Sequence, residues 1–197
     1  MRALVIDTSS LSTVAFVAEQ VEVLRSADAR HHVETLAPMA REVLAGEVPE
    51  VIVAGTGPAA FTGLRAGLVT ARTLGRAWSV PVWGIGSLDA LAVSYPGEFP
   101  VTTVLDARRR EVYAARFTRR DDDVVAEWGP EVLAPAKLAE REGPFVGPGA
   151  VAYADVLGGT ALDIDPEAMV ALAVARQRAG VDLGTEPQYL RRPDIHG

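Results

Sequence analysis

The stretch Gly55-Thr-Gly-Pro-Ala-Ala-Phe-Thr-Gly-Leu-Arg65 joins two hydrophobic patterns, and the change between them decides the fold class. Residues 51–54 form a short apolar run that is typical of a buried strand, and residues 62–78 carry apolar side chains at helical spacing. Corners of this kind connect strands to helices in α/β proteins, and the helix amides there can bind phosphate. The stretch therefore predicts an α/β protein and raises the question of nucleotide binding.

The residues of this corner argue against both common phosphate-binding motifs. A Walker A motif needs Lys and then Ser or Thr directly after its last glycine, but Gly63 is followed by Leu and Arg. A relaxed dinucleotide fingerprint fits residues 55–60, yet Pro58 removes a backbone donor and no carboxylate follows about 20 residues later. We therefore expect a tight turn whose glycines let the helix pack closely on the strand.

Composition and charge limit the classes of function. The chain has 197 residues, of which 49% are apolar, so we expect one large or two small domains with a packed core. A net charge of −7 argues against autonomous nucleic-acid binding, so a partner would supply most of the grip on any RNA. The chain has no cysteine, hence no disulfide or thiolate metal site, and it shows neither a signal peptide nor a membrane span. These features predict a cytoplasmic protein.

The order of predicted elements is β-rich at the start and then α/β. The pattern predicts strands at 3–6, 13–18, 21–24, 51–54 and 82–85, and helices at 33–45, 62–78 and from 87. We expect the helix at 33–45 to begin a few residues later, because Pro38 is best tolerated in a first turn. Residues 94–100 are dense in proline and glycine, which indicates a boundary between a first domain, 1–98, and a second, 99–197.

The second half repeats the first. An apolar strand ending at Asp106 and an alternating strand at 111–117 echo the strand ending at Asp7 and the alternating residues 13–17, so two related halves are the economical explanation. Further on, the pattern predicts a short helix at 136–141, a corner at 147–149, and a last helix, 166–179, that could pack back on the first half. Asp165 is expected to cap that helix, with Pro166 at its first position.

Several motifs together carry a family resemblance. They occur in this order: Ile6-Asp7-Thr8-Ser9, His32-x-Glu34-Thr35-Leu36-x-Pro38-Met39, Gly57-Pro58-x-x-Phe61-Thr62-Gly63-Leu64-Arg65, Gly86-Ser87-Leu88-Asp89-Ala90-Leu91 and Tyr189-Leu190-Arg191. The chain thereby resembles the TsaB family of tRNA threonylcarbamoyladenosine biosynthesis proteins, relatives of TsaD in the M22 glycoprotease-like group. The match is dense over 1–92 and sparse afterwards. Ala59-Ala60 stands where the family usually has Gly-Ser, so we expect Thr62 to cap the following helix instead.

The resemblance implies both a fold and a function. The implied fold is actin-like and Hsp70-like (ASKHA), with two duplicated subdomains, each a mixed sheet with flanking helices. The implied function is a non-catalytic scaffold or activator that pairs with TsaD, which places threonylcarbamoyl on the adenosine next to the tRNA anticodon. The TsaE ATPase is then a further partner, tRNA is contacted only through the complex, and no cofactor is implied. We also expect a homodimer when the partner is absent.

Asp7, Thr8 and Ser9 form the candidate for a vestigial nucleotide site. In the implied fold the turn after the first strand contacts phosphate and magnesium, and these three side chains have suitable oxygens. The alternative, which we favour, is a carboxylate that accepts hydrogen bonds within a turn, because no basic phosphate clamp is evident. A rival function, an actin-like nucleotide-dependent kinase or hydrolase using Asp7, requires that this turn contacts phosphate and magnesium.

Metal and hydrolase chemistry find little support in the sequence. TsaD resembles a metalloenzyme with paired histidines one helical turn apart, whereas His31 and His32 are adjacent and His196 lies near the end of the chain. Glu34 could complete a zinc site with His32, but a role at the start of the helix is the preferred interpretation. There is no Gly-x-Ser-x-Gly motif and no cysteine nucleophile. We therefore predict no catalytic residue and no metal site.

Two helices supply the candidate partner surface. The apolar side of residues 33–45 spans roughly 160° of arc, wider than the ~100° that one sheet contact requires, which leaves an edge at Leu36 and Met39. On residues 62–78, small side chains at alternating spacings of three and four would let a partner helix approach closely. The predicted interface comprises His32, Leu36, Met39, Val43, Gly63, Ala66, Thr70, Thr73 and Ala77.

Overall fold

A computed structural model describes residues 1–26 and 32–191, and it contains two mixed sheets with flanking helices. The first half contains β1 (Ala3–Asp7), β2 (Thr13–Val17), β3 (Val21–Arg25), α1 (His32–Leu44), β4 (Val51–Gly55), α2 (Phe61–Trp78), β5 (Val82–Ile85) and α3 (Ser87–Val93). The second contains β6 (Val101–Asp106), β7 (Val112–Arg120), β8 (Asp123–Leu133), α4 (Pro135–Leu138), β9 (Phe145–Val146), α5 (Pro148–Ala152), α6 (Ala154–Leu157) and α7 (Pro166–Arg178).

The two sheets share one topology. The first has the order β3-β2-β1-β4-β5 and the second the order β8-β7-β6-β9. In each, three consecutive strands form an antiparallel meander, and the next strand pairs in parallel with the first strand of that meander. The echo in the sequence therefore corresponds to a repeated strand arrangement. The division into domains at residue 98 stays a prediction.

The main core lies between the sheets, and α3 and α7 contribute to it. On β1, Ala3 and Val5 face this core, whereas Leu4 and Ile6 face a second core beneath α1 and α2. This alternation follows from the period of two in a strand, and it explains why β1 is buried on both faces. Helix α7 also contacts β1, β2, β4 and β5, so the last helix lies against the first sheet.

After α7 the chain returns to the first half as residues 181–191, which we call the C-terminal strap. Gly84 N donates to Leu183 O at 2.8 Å, and Gln188 N donates to Thr56 O at 2.8 Å. The guanidinium of Arg72 on α2 donates to the backbone oxygen of Thr185 at 2.6 Å. The strap therefore covers one side of β5 and one side of α2.

Three local predictions need correction, and one long strand was missed. Helix α1 begins at His32 and contains Pro38 in its interior, because burial of its apolar side outweighs the cost of an exposed proline. Helix α2 has Ala60 as its N-cap without a side-chain cap, so Thr62 does not cap it. The predicted helix at 136–141 is limited to Pro135–Leu138, and the long strand β8 was not predicted. By contrast, Asp165 caps α7 as predicted, accepting from Glu167 N at 2.9 Å.

Candidate functional site: the Asp7 turn and the surface of helices α1 and α2

Both oxygens of the Asp7 carboxylate accept hydrogen bonds within the protein. Asp7 is only 2% exposed. Its Oδ1 accepts from the backbone N of Ser9 at 2.9 Å and from Ser9 Oγ at 2.6 Å, while its Oδ2 accepts from Ser87 Oγ at 2.6 Å. The neighbouring hydroxyl of Thr8 donates to Gly63 O at 2.8 Å. These bonds tie the end of β1 to the starts of α2 and α3.

Two glycines make the turn possible by giving its side chains room. A Cβ added at Gly55 would lie 1.8 Å from Asp7 Oδ2, and one added at Gly67 would lie 2.4 Å from Thr8 Oγ1. Both distances are shorter than any real contact of a Cβ, so any larger residue would force the turn to move. The close helix-to-strand packing expected from the glycine-rich corner is thus present, and the Asp7 turn is part of it.

A cleft of about 560 Å³ that opens to solvent borders Asp7 and Ser9. Among the described residues that line it, Arg25 is the one basic side chain, and it is committed to Ile164 O at 3.1 Å and to Asp163 at 4.0 Å. The geometry therefore favours the turn interpretation of Asp7, Thr8 and Ser9. Nucleotide binding by these residues stays a prediction that no uncommitted basic side chain among the described lining residues supports.

The histidines contribute no described metal site. Within residues 1–26 and 32–191, no group of three His, Asp or Glu side chains lies close enough to hold a metal ion. His31 and His196 lie outside the described residues, as does the side chain of His32. Across the same described ranges, none of the helices is both long and apolar enough to cross a membrane.

Helices α1 and α2 pack side by side, and α2 presents small residues beside the contact line. Ala66 and Thr70 are half-buried, while Thr73 and Ala77 are exposed. Val69, which the sequence analysis did not select, lies between them on the solvent side and is 58% exposed. We call Ala66, Val69, Thr70, Thr73 and Ala77 the α2 strip: it is a row of small side chains with one exposed valine, and another helix can pack closely on such a row.

Three predicted interface residues lie beneath this surface rather than on it. Leu36 is fully buried, and Val43 and Gly63 are also buried. The wide apolar arc of α1 is occupied because the helix packs against both α2 and β2. Met39 is half-buried at the edge of this core. The solvent side of α1 instead presents a groove lined by Ala37, Pro38, Arg41, Glu42 and Ala45.

The sequence indicated only weakly that Val69, Ala37 and Pro38, which were not among the predicted interface residues, lie on the surface of the two helices. Val69 is a β-branched apolar residue on the polar side of the amphipathic helix α2, where its neighbours are mostly Thr and Arg. Ala37 and Pro38 are small or apolar residues that are exposed on α1, away from the buried Leu36. Periodicity identifies such positions only after the buried side of the helix is known.

Comparison with known proteins gives consistent matches. The model of the family "TsaD: tRNA N6-adenosine threonylcarbamoyltransferase" matches residues 9–168. An uncharacterized protein of Mycobacterium tuberculosis is 34% identical over 97% of this chain and 92% of its own length. The tRNA threonylcarbamoyladenosine biosynthesis protein TsaB of Bacillus subtilis is 28% identical, with 71% of this chain and 69% of that protein covered. The solved structure of YeaZ from Pseudomonas aeruginosa is 26% identical, has a TM-score of 0.77, and covers 96% of this chain and 99% of its own.

The fold defines a protein of the actin-like, Hsp70-like (ASKHA) class, with the two mixed sheets that the sequence resemblance predicted. Within that class the chain belongs to the TsaD family, and its named relatives place it with TsaB, which confirms the resemblance.

Proposed function

We propose that this chain is the non-catalytic subunit that pairs with a TsaD homologue when threonylcarbamoyl is formed on the adenosine next to the tRNA anticodon. The observation that carries the proposal is the α2 strip, where Val69 stands between the small residues Ala66 and Thr73. A surface of this kind fits a partner helix, and the relatives named TsaB act in this biosynthesis.

The rival function, a nucleotide-dependent kinase or hydrolase that uses Asp7, is not favoured. Both oxygens of Asp7 already accept hydrogen bonds from Ser9 and Ser87. Oδ1 is saturated by its two donors, and Oδ2 keeps one lone pair, but a carboxylate that is only 2% exposed offers little access to a hydrated Mg²⁺ ion. Titration of the isolated chain with ATP and magnesium separates the two functions. Protease, ATPase and threonylcarbamoyl-transfer assays on the isolated chain should each read background.

The pairing proposal is tested with arginine substitutions in the strip. Ala66→Arg and Thr73→Arg should abolish binding to a TsaD homologue in calorimetry, because a large cation separates the two helices. Thr70→Ala should be tolerated, since it keeps the side chain small. The melting temperature of Thr73→Arg should stay within a few degrees, because surface substitutions usually cost about 0.5 kcal/mol or less. Ala66 is half-buried against the core beneath α1 and α2, so Ala66→Arg should also lower the melting temperature, and Thr73→Arg is the cleaner test of docking.

Two controls separate docking from folding. Ala171→Arg puts the same cation on an exposed alanine of α7 and should leave partner affinity unchanged. Leu68→Arg and Leu36→Arg bury a charge in the core beneath α1 and α2, so they should unfold the first half. If the strip variants retain full affinity, or lose it only by unfolding, this pair of helices is not the docking surface.

The proposal extends to the other components of the system. TsaE is proposed as a further partner of the complex, and TsaD supplies most of the grip on tRNA because this chain has a net charge of −7. We place the complex in the cytoplasm. Affinity capture of TsaE with the tagged pair, and its failure with the tagged chain alone, would support this order of assembly.

A further inference from the structure

A cleft lies between the two halves, at the N-terminal end of α2. It holds about 580 Å³ and opens to solvent. Its walls are the turn between β6 and β7, the start of α2 and the end of the C-terminal strap. Arg108 and Arg109 line one side, while Phe61 and Tyr189 line the other. Cations and exposed aromatic rings thus face the same space.

The aromatic side of the cleft is accessible to a stacking ligand. The rings of Phe61 and Tyr189 have centroids 4.9 Å apart, and the two residues are 37% and 38% exposed. The guanidinium of Arg65 lies 4.9 Å from the centroid of Phe61. Exposed aromatic rings with an adjacent arginine are the chemistry on which nucleic-acid bases stack, whatever their sequence.

The cationic side is a turn of three consecutive arginines. Arg108, Arg109 and Arg110 are exposed and have φ values of 60°, 52° and 62°. Glycine and asparagine adopt this left-handed region most readily, yet the chain carries a cation at each position. Asp106 pairs with Arg108 at 3.5 Å and Glu111 pairs with Arg191, so two carboxylates accompany five arginines around the cleft.

We propose that this cleft binds a single-stranded segment of RNA, with phosphates at the turn of Arg108–Arg110 and a base against Phe61 and Tyr189. RNA binding is inferred from the cleft itself, and only the expectation that the RNA is tRNA rests on the proposed function. It revises the expectation that tRNA is contacted only through the complex. TsaD still supplies most of the binding, because the chain as a whole is acidic.

A free nucleotide fits the cleft less well than an RNA strand. The described residues that line it include no Asp or Glu, so neither a ribose hydroxyl nor a magnesium ion finds a carboxylate there. The cations also continue beyond the cavity, because Arg65 and Arg110 lie next to it without lining it. Several cations spread around a cleft match a chain of phosphates better than a single phosphate group.

The test uses the full chain and a fluorescein-labelled RNA stem-loop with the sequence of an anticodon arm, followed by fluorescence anisotropy. The double variant Arg108→Asn/Arg110→Asn should weaken binding about tenfold, and its salt dependence should fall by about one unit of slope. Asparagine suits the left-handed turn, so folding is retained. Tyr189→Ala should weaken binding about tenfold, whereas Tyr189→Phe should restore it.

The matched control is Arg119→Asn/Arg120→Asn, which removes the same charge from the other hairpin of the second sheet and should leave binding within about twofold. Equal losses in the control would overturn the proposal, because binding would then follow net charge alone. Absence of RNA binding by the wild-type chain, or binding of ATP in the cleft without RNA binding, would also overturn it. Neither result affects the pairing with TsaD, which is measured without RNA.

Discussion

Asp7 illustrates how a single residue can resemble a catalytic group and yet serve the fold. Asp7→Ala removes the acceptor for three donors, namely Ser9 N, Ser9 Oγ and Ser87 Oγ. We expect the free energy of unfolding to fall by about 2–4 kcal/mol, because buried donors are left unsatisfied. Urea denaturation measures this loss. Ser87→Ala should cost about 1.5–3 kcal/mol, because Oδ2 of the buried carboxylate loses its donor. A variant at Asp7 that keeps its stability but gains or loses ATP turnover would contradict the structural role.

The contact between Gly67 and Thr8 predicts a measurable coupling. Gly67→Ala places a Cβ 2.4 Å from Thr8 Oγ1, so the variant should lose about 1–3 kcal/mol of stability. Thr8→Ala removes the obstructing oxygen, and the double variant should be more stable than the sum of the two losses by about 1 kcal/mol. As a control, Gly67→Ala is combined with Arg178→Met. The two residues lie on opposite sides of the sheet, so their losses of stability should be additive in the same denaturation assay.

The ion pair of Glu131 and Arg141 predicts a pH dependence of known sign. The hydrogen bond from Arg141, 2.7 Å long, holds the pKa of Glu131 below its usual range. The pair therefore contributes stability above the ordinary pKa of a glutamate and loses it as the pH falls through the lowered value. Both side chains are more than a third exposed, so Glu131→Gln should cost less than about 1 kcal/mol at pH 7. Once the pH is well below the lowered pKa of Glu131, the wild type and the variant should be equally stable in denaturation curves.

At the scale of elements, Arg176 on α7 connects α3 and β8 through hydrogen bonds to a carboxylate on each. It donates to Asp89 at 2.8 Å and to Asp123 at 2.9 Å. Burial raises the pKa of Asp89 even beside this guanidinium. Arg176→Met should cost about 2–4 kcal/mol at pH 7, because two carboxylates lose their partner. The loss should grow as the pH rises, since the unpaired Asp89 is ionised at high pH and protonated at low pH. Arg178→Met, on the exposed end of α7, is the control and should change unfolding by about 0.5 kcal/mol or less.

The elements that the sequence predicted well are those with one strong period. Strand β1 and helix α2 follow from their apolar spacing, and the cap of α7 follows from Asp165 before Pro166. Strand β8 was missed because it is an edge strand that carries exposed charges together with Gly129 and Pro130. Periodicity alone could not detect it.

The candidate site was harder to predict than the fold, because a surface depends on neighbours in space. The apolar arc of α1 indicated an excess of hydrophobic surface, but the sequence could not show that α2 covers Leu36 and Val43. The turn at Asp7 was interpreted from local chemistry that does not depend on distant packing. The cationic turn at Arg108–Arg110 was not recognised, because a left-handed backbone leaves no signature in three arginines.

At the scale of the whole molecule, we expect a C2 homodimer through the same α1 and α2 surface when the partner is absent. Exposed apolar surface costs about 25 cal/mol per Å², and Val69 with its neighbours remains uncovered in the single chain. Sedimentation velocity at tens of micromolar should show the dimer, and Ala66→Arg should convert it to a monomer while Ala171→Arg does not. A strict monomer for the wild-type chain would contradict the expectation.

The C-terminal strap has a consequence for how the protein is made. Gly84 leaves the ribosome about 100 residues before Leu183, the residue whose oxygen receives its amide hydrogen. At ~5–20 residues per second this interval lasts roughly 5–20 s, during which the nascent first half has β5 uncovered. An uncovered edge strand pairs readily with other chains. We therefore expect a chain that stops before the strap to aggregate more readily than the full chain, because the edge of β5 stays uncovered.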